Sequence, residues 1–103
     1  MEIIEYLSER TEEEIDGAED YIKKALELKD SHPSISRVLY DISTQEMNHV
    51  NMLHGEVVKL IEQHRREHGE PPAAMMAVYE YLHKRHINEA NEVKMYQAQY
   101  RGE

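Results

Sequence analysis

Two residues in the middle of the chain have the types and the spacing to hold a metal. Glu46 and His49 stand three positions apart in the run Ile42-Ser43-Thr44-Gln45-Glu46-Met47-Asn48-His49-Val50-Asn51-Met52-Leu53. On a helix that spacing places a carboxylate and an imidazole one turn apart on one face, which is how a helix offers both to a single metal centre. At about 100° per residue, Val38, Ile42, Leu53 and Leu60 define an apolar stripe, and Glu46 and His49 fall in its middle. The stripe predicts that both turn inward, where an ionisable group needs a partner.

A second carboxylate is expected to meet them. Glu19 lies within the stripe of a preceding helix, between Ile15 on one side and Ile22 and Leu26 on the other. Antiparallel helices joined by a short turn meet at positions equidistant from that turn. The midpoint of Glu19 and Glu46 falls between His32 and Pro33, inside the turn, so the two are expected to face each other at one height. Across the next turn, residues 91 to 94 come level with Glu46 and His49, with Glu89 on the stripe of the third helix and Glu92 at its edge. Glu89 stands open between ligand, secondary site and rim residue. The candidate metal ligands are therefore Glu19, Glu46, His49 and Glu89. His86 also faces inward, roughly level with His54, as a hydrogen-bonded core histidine or a group supporting the ligands.

Carboxylates gathered in an apolar interior raise one another's pKa, and desolvation acts in the same direction. Either one is protonated or a cation neutralises them. Oxygen and imidazole donors without thiolate suit iron, manganese or zinc. The alternative for Glu46 and His49 is a metal-free buried ion pair that fixes helix register. Glu80-x-x-His83 has the same spacing, but Glu80 points roughly opposite its stripe and reads as surface.

The elements that must position these residues are three helices and two turns, forming one domain over residues 1–103. Thr11-Glu12-Glu13-Glu14 is a capping-box pattern, so the first helix is expected over about 11–29, with a stripe of Ile15, Ala18, Ile22 and Leu26. Whether residues 2–10 extend it is left open. Gly17 inside it weakens the helix by about 1 kcal/mol against alanine and marks a candidate close helix contact. Asp30-Ser31-His32-Pro33 breaks the chain, and proline suits a first helical turn. The second helix then spans about 34–68, with basic residues in its last turns and Gly69 as its C-terminal cap. Glu70-Pro71-Pro72 is the second break. The third helix covers about 72–100, with a stripe of Met75, Tyr79, Leu82, His86, Ala90, Val93 and Tyr100.

Composition agrees with an all-α protein: 40% hydrophobic and 32% charged residues, with only four Gly and three Pro. Twelve basic residues against twenty-one acidic ones leave a net charge of −9, which disfavours nucleic acid and anionic membrane surfaces as partners. The absence of Cys excludes disulfides, thiolate zinc sites and cysteine nucleophiles. No run reaches the roughly 18 apolar residues of a membrane span, and the N-terminus lacks signal-peptide character, so a cytoplasmic protein is expected. A chain of 103 residues folded as two or three long helices leaves apolar surface for association with other copies.

Glu19 on one helix and Glu46-x-x-His49 on the next resembles half of a ferritin-like di-iron carboxylate site. That family takes a glutamate from each of two helices and Glu-x-x-His from each of two others. The resemblance covers roughly residues 11–68 and is closest to the encapsulated ferritins, in which two helical hairpins build the site at a dimer interface. It implies a ferritin-like antiparallel hairpin plus a third long helix. Two copies as a homodimer or higher homo-oligomer would complete the four-helix-bundle site with two irons. The activity implied is that of a ferroxidase, oxidising Fe²⁺ with O₂ or peroxide in iron storage or detoxification. The tail Gln97–Glu103 lacks the Leu- and Ser-containing peptide that directs cargo into an encapsulin shell. Glu89-x-x-Glu92 is reminiscent of the third helix of rubrerythrin-like proteins, although no fourth-helix Glu-x-x-His follows. A rubrerythrin-like peroxide reductase, or a manganese or zinc protein, is thus the second reading. A metal-free helical assembly module is the third.

Overall fold

In a computed structural model, which describes residues 2–103, the chain forms three α-helices: α1 (Glu2–Leu28), α2 (Pro33–His68) and α3 (Ala73–Tyr100). The last two begin and end within a residue of their expected limits. The first does not. Residues 2–10 are helical and continuous with the rest of α1. Thr11 is therefore no cap: its hydroxyl donates to the Leu7 carbonyl one turn back, at 2.8 Å. A threonine followed by glutamates signals a helix start only where the preceding residues disfavour helix, and Ile3 to Arg10 do not.

Pro33 stands at the start of α2, where its missing N–H costs nothing. Gly69 ends that helix at φ 80°, a left-handed conformation costly to any residue with a Cβ, and its N–H returns to the Arg65 carbonyl at 3.1 Å.

The helices share one seam. Ile15, Ala18, Ile22 and Ala25 on α1 are fully buried, close to the expected stripe. On α2 the buried face is not the expected one. Ser36, Tyr40, Ser43, Met47, Val50, Val57 and Ile61 turn inward, whereas Ile35 and Val38 are 52% and 54% exposed. The inward face of α2 is rotated by about one residue from its most hydrophobic stripe. The serines explain it. Ser36 and Ser43, seven apart, lie against Ala25 and Ala18, also seven apart, so small residues on both sides let the backbones approach. Each serine hydroxyl is then satisfied by an α1 carbonyl, Ser36 by Ala25 and Ser43 by Ala18 at 2.7 Å. Gln97 of α3 donates to the Ser43 hydroxyl at 3.0 Å, so one buried hydrogen-bonded line ties all three helices together.

The free end of α3 is fixed as well. Tyr100 stacks on Tyr40 with ring centroids 4.4 Å apart, Lys29 donates to the Tyr100 carbonyl, and Arg101 donates to the Tyr40 hydroxyl at 2.8 Å. The apolar core falls into two parts, one around Ile15, Ile22 and Val93, the other around Ile4, Val57 and Ile61. The molecule measures 56 × 20 × 18 Å, and its radius of gyration of 16.4 Å exceeds the roughly 13 Å of a compact domain this size. Among the described residues, no helix is long and apolar enough to cross a membrane.

Candidate metal centre

Glu46 sits over the glycine of α1. Its carboxylate lies against Gly17, where a Cβ would stand within 2.3 Å of Glu46 Oε2 and 3.1 Å of its Cδ. The close contact anticipated at Gly17 is therefore a contact between helix backbone and a carboxylate. Glu14, one turn before Gly17 on the same face, reaches both candidate ligands of α2. Its carboxylate hydrogen-bonds Glu46, and its Oε2 lies 3.4 Å from His49 Nδ1. Burial pushes the Glu46 carboxyl above its ordinary value, the Glu14 charge and hydrogen bond add to this, and His49 acts in the opposite direction.

Glu19 does not join this group. It lies on the opposite flank of α1, paired with Lys23 at 2.6 Å, and its charge is felt by Asp16 rather than by Glu46. The expected facing of Glu19 and Glu46 fails through register. The two helices end at Leu28 and begin at Pro33, so the turn is centred between Asp30 and Ser31, two residues before the assumed centre. The pairs Ala25–Ser36 and Ala18–Ser43 have this same midpoint. In that register the α1 residues level with Glu46 are Glu14 and Ile15, and Glu14 is the one turned to its flank. The burial of Ser36 and Ser43 was the missing signal, because a hydropathy stripe counts serine as surface.

Glu89 is also separate. It accepts from Arg85 at 3.0 Å, and Arg85 in turn reaches Glu12 on α1 at 2.6 Å. Glu89 Oε2 is buried without a hydrogen-bond partner, and the Asp16 carboxyl beside this group is raised, first by desolvation and then by Glu89. The four residues singled out from the sequence thus divide between two flanks of α1, Glu46 and His49 on one, Glu19 and Glu89 on the other.

The flank bearing Glu46 is open, and the exposed carboxylates of Glu13 and Asp20 line it together with Glu14. The Glu14 side chain is 31% exposed and that of His49 53%, and Tyr21, one turn beyond Gly17, is partly exposed beside them. Ile35, Val38 and the half-buried Ile42 continue the face along α2. Among the described residues, no three His, Asp or Glu side chains converge closely enough within one chain to enclose a metal. Comparison of the chain with protein-family models, with curated proteins and with solved structures finds no match.

Proposed function

We propose that the chain is a ferritin-like metal-binding protein whose di-iron site is completed by a second copy, and that it oxidises Fe²⁺ in iron storage or detoxification. The observation that carries this reading is the seating of Glu46 over Gly17, with Glu14 and His49 beside it, on an acidic flank that exposed Ile35 and Val38 continue along α2. A carboxylate pressed against a helix backbone and against a second carboxylate is unfavourable unless a proton or a cation relieves it.

The donor set fits divalent iron. One chain offers Glu14, Glu46 and His49, and two chains about a two-fold axis offer four carboxylates and two imidazoles, the complement of a ferritin-like centre. Glu14 takes the place that Glu19 was expected to hold. The chemistry that two ferrous ions supply there is a two-electron reduction of O₂ or peroxide, one electron from each ion. The residues of the chain have the remaining tasks. Glu14 and Glu46 supply negative charge, and Gly17 leaves the Glu46 carboxylate room to sit low against α1. Glu14 beside Nδ1 sets the His49 ring, leaving Nε2 as the free donor nitrogen. Ile35, Val38 and Ile42 would pack against the same residues of the partner copy and exclude water from the flank of the site.

The test is an anaerobic Fe²⁺ titration followed by exposure to O₂ or H₂O₂. Saturation at about one iron per chain, lost in Glu46→Ala, and ferrous oxidation on adding oxidant are expected. Stoichiometry near zero would contradict the reading. Binding without oxidation would leave a manganese or zinc protein as the better description, and faster oxidation by H₂O₂ than by O₂ a peroxide reductase.

A further inference from the structure

A second site lies between the two parts of the core. A groove of about 250 Å³ opens there among α1, α2 and α3. It is a polar layer in an otherwise apolar interior, and its central feature is His86. This residue is 91% buried, since only 9% of its surface is exposed, and its Nε2 is buried without a hydrogen-bond partner. An unpaired buried ring nitrogen is unfavourable, so something is expected to satisfy it.

The surroundings define what that could be. His54 from α2 stacks on His83 from α3 with ring centroids 4.7 Å apart, and Tyr79 stacks on the other side of His83. Lys94 stands at one end of the groove, with the carboxamides of Asn51 and Asn91 along it. Twenty-one of the 103 residues are acidic, yet among the described residues no Asp or Glu lines this cavity. Three imidazoles, an ammonium and two carboxamides form a set rich in N–H donors without a carboxylate. Val50 and Val57 from α2 and Ile87 from α3 add apolar lining between them.

We propose that this groove binds a small oxyanion, a carboxylate or phosphate group held by His83 and His86, with Lys94 adding positive charge from two to three turns further along α3 and any apolar body lying against Val50 and Val57. The groove lies on the flank of α2 away from Ile35 and Val38, so it stays accessible whether or not a second copy covers the candidate metal centre. It is independent of that centre and of its metal.

Proton linkage follows from the groups that face His83. Desolvation lowers its pKa, and His54 across the groove and His86 one turn along add to this. The α1 side offers only the hydroxyls of Ser8 and Thr11, and Tyr79 on α3 is a neutral phenol whose own pKa burial raises. These groups favour the neutral form of His83, and a bound anion would favour the protonated one. Affinity falls as pH rises, by up to about tenfold per pH unit where one proton is taken up.

The experiment follows the imidazole resonances of the metal-free full chain by NMR, assigned with His83→Gln and His86→Gln. The probes are benzoate, inorganic phosphate and neutral benzyl alcohol at pH 6 and pH 8. Saturable shifts of His83 and His86 by benzoate, displaced by phosphate and weaker at pH 8, are expected, with several-fold weaker binding in Lys94→Gln. Lys94 is exposed, so that variant retains the fold. Benzoate that binds but resists displacement by phosphate would still support the site and assign it to carboxylates bearing an apolar body. Equal shifts with benzyl alcohol would overturn the proposal, as would a response to Zn²⁺ alone or affinity unchanged in both Lys94→Gln and His83→Gln.

Discussion

Alanine at position 17 should make the protein more stable and less able to bind metal. The two effects have separate causes. A helical glycine weakens its helix by about 1 kcal/mol relative to alanine. For a domain of this size that gain raises the melting temperature by about 4–8 °C if nothing else changes. The new Cβ would stand 2.3 Å from Glu46 Oε2, where ordinary contact begins at 3.4 Å, so the carboxylate must retreat by roughly 1 Å. The obstructing atoms are the far end of a flexible, half-buried side chain, so the retreat is a rotamer change with little effect on the core. A displacement of about 1 Å is nonetheless the scale that costs roughly 10²-fold where geometry matters. Thermal melts of the metal-free protein, paired with anaerobic Fe²⁺ titrations, read both effects. Gly17→Ala with unchanged iron affinity would refute the idea that Gly17 exists to seat Glu46. Marked loss of stability would show instead that Glu46 is fixed by its surroundings and that Gly17 serves packing.

Two further outcomes follow from the same contacts. The Glu46 carboxyl is raised above about 4.5, so the stability it contributes is present below that value and is lost as pH rises through the raised value. Metal-free Glu46→Gln should therefore melt higher than the parent at pH 7, with the difference closing near pH 4; a lower melting temperature at pH 7 would favour a structural ion pair with His49. Ser43→Ala leaves the Gln97 amide buried without its acceptor and removes the hydroxyl that donates to the Ala18 carbonyl in addition to its helical N–H. It should cost about 1–3 kcal/mol in urea unfolding, and a change within about 0.5 kcal/mol would mean that the buried line between the helices contributes little.

Much of the helical frame was legible because it rests on strong local signals. Pro33, Gly69 and the Pro71-Pro72 pair fix where helices stop and start, and Ile15, Ala18 and Ile22 were correctly placed inside. His86 was also correctly read as inward, although its Nε2 lacks the hydrogen bond expected of it and His54 meets His83 one turn away. What could not be read was the face of α2. Ser36 and Ser43 bury completely because α1 carbonyls accept from them, a gain that hydropathy cannot register. That rotation moved Glu46 and His49 from the core to its edge, and the register it belongs to exchanged Glu19 for Glu14. The same rotation left Ile35 and Val38 more than half exposed, an apolar surface that the proposed second copy would cover.

The central claim, that the metal centre is divided between two copies, is tested most directly by sedimentation of the chain with and without Fe²⁺ under anaerobic conditions. Binding and association should be coupled, with the dimer favoured as iron approaches about one per chain and reversed by chelator. Glu14→Ala should abolish the coupling, whereas Glu19→Ala should leave it intact. Saturable iron binding by a species that stays monomeric throughout, or coupling lost in Glu19→Ala and retained in Glu14→Ala, would contradict the account.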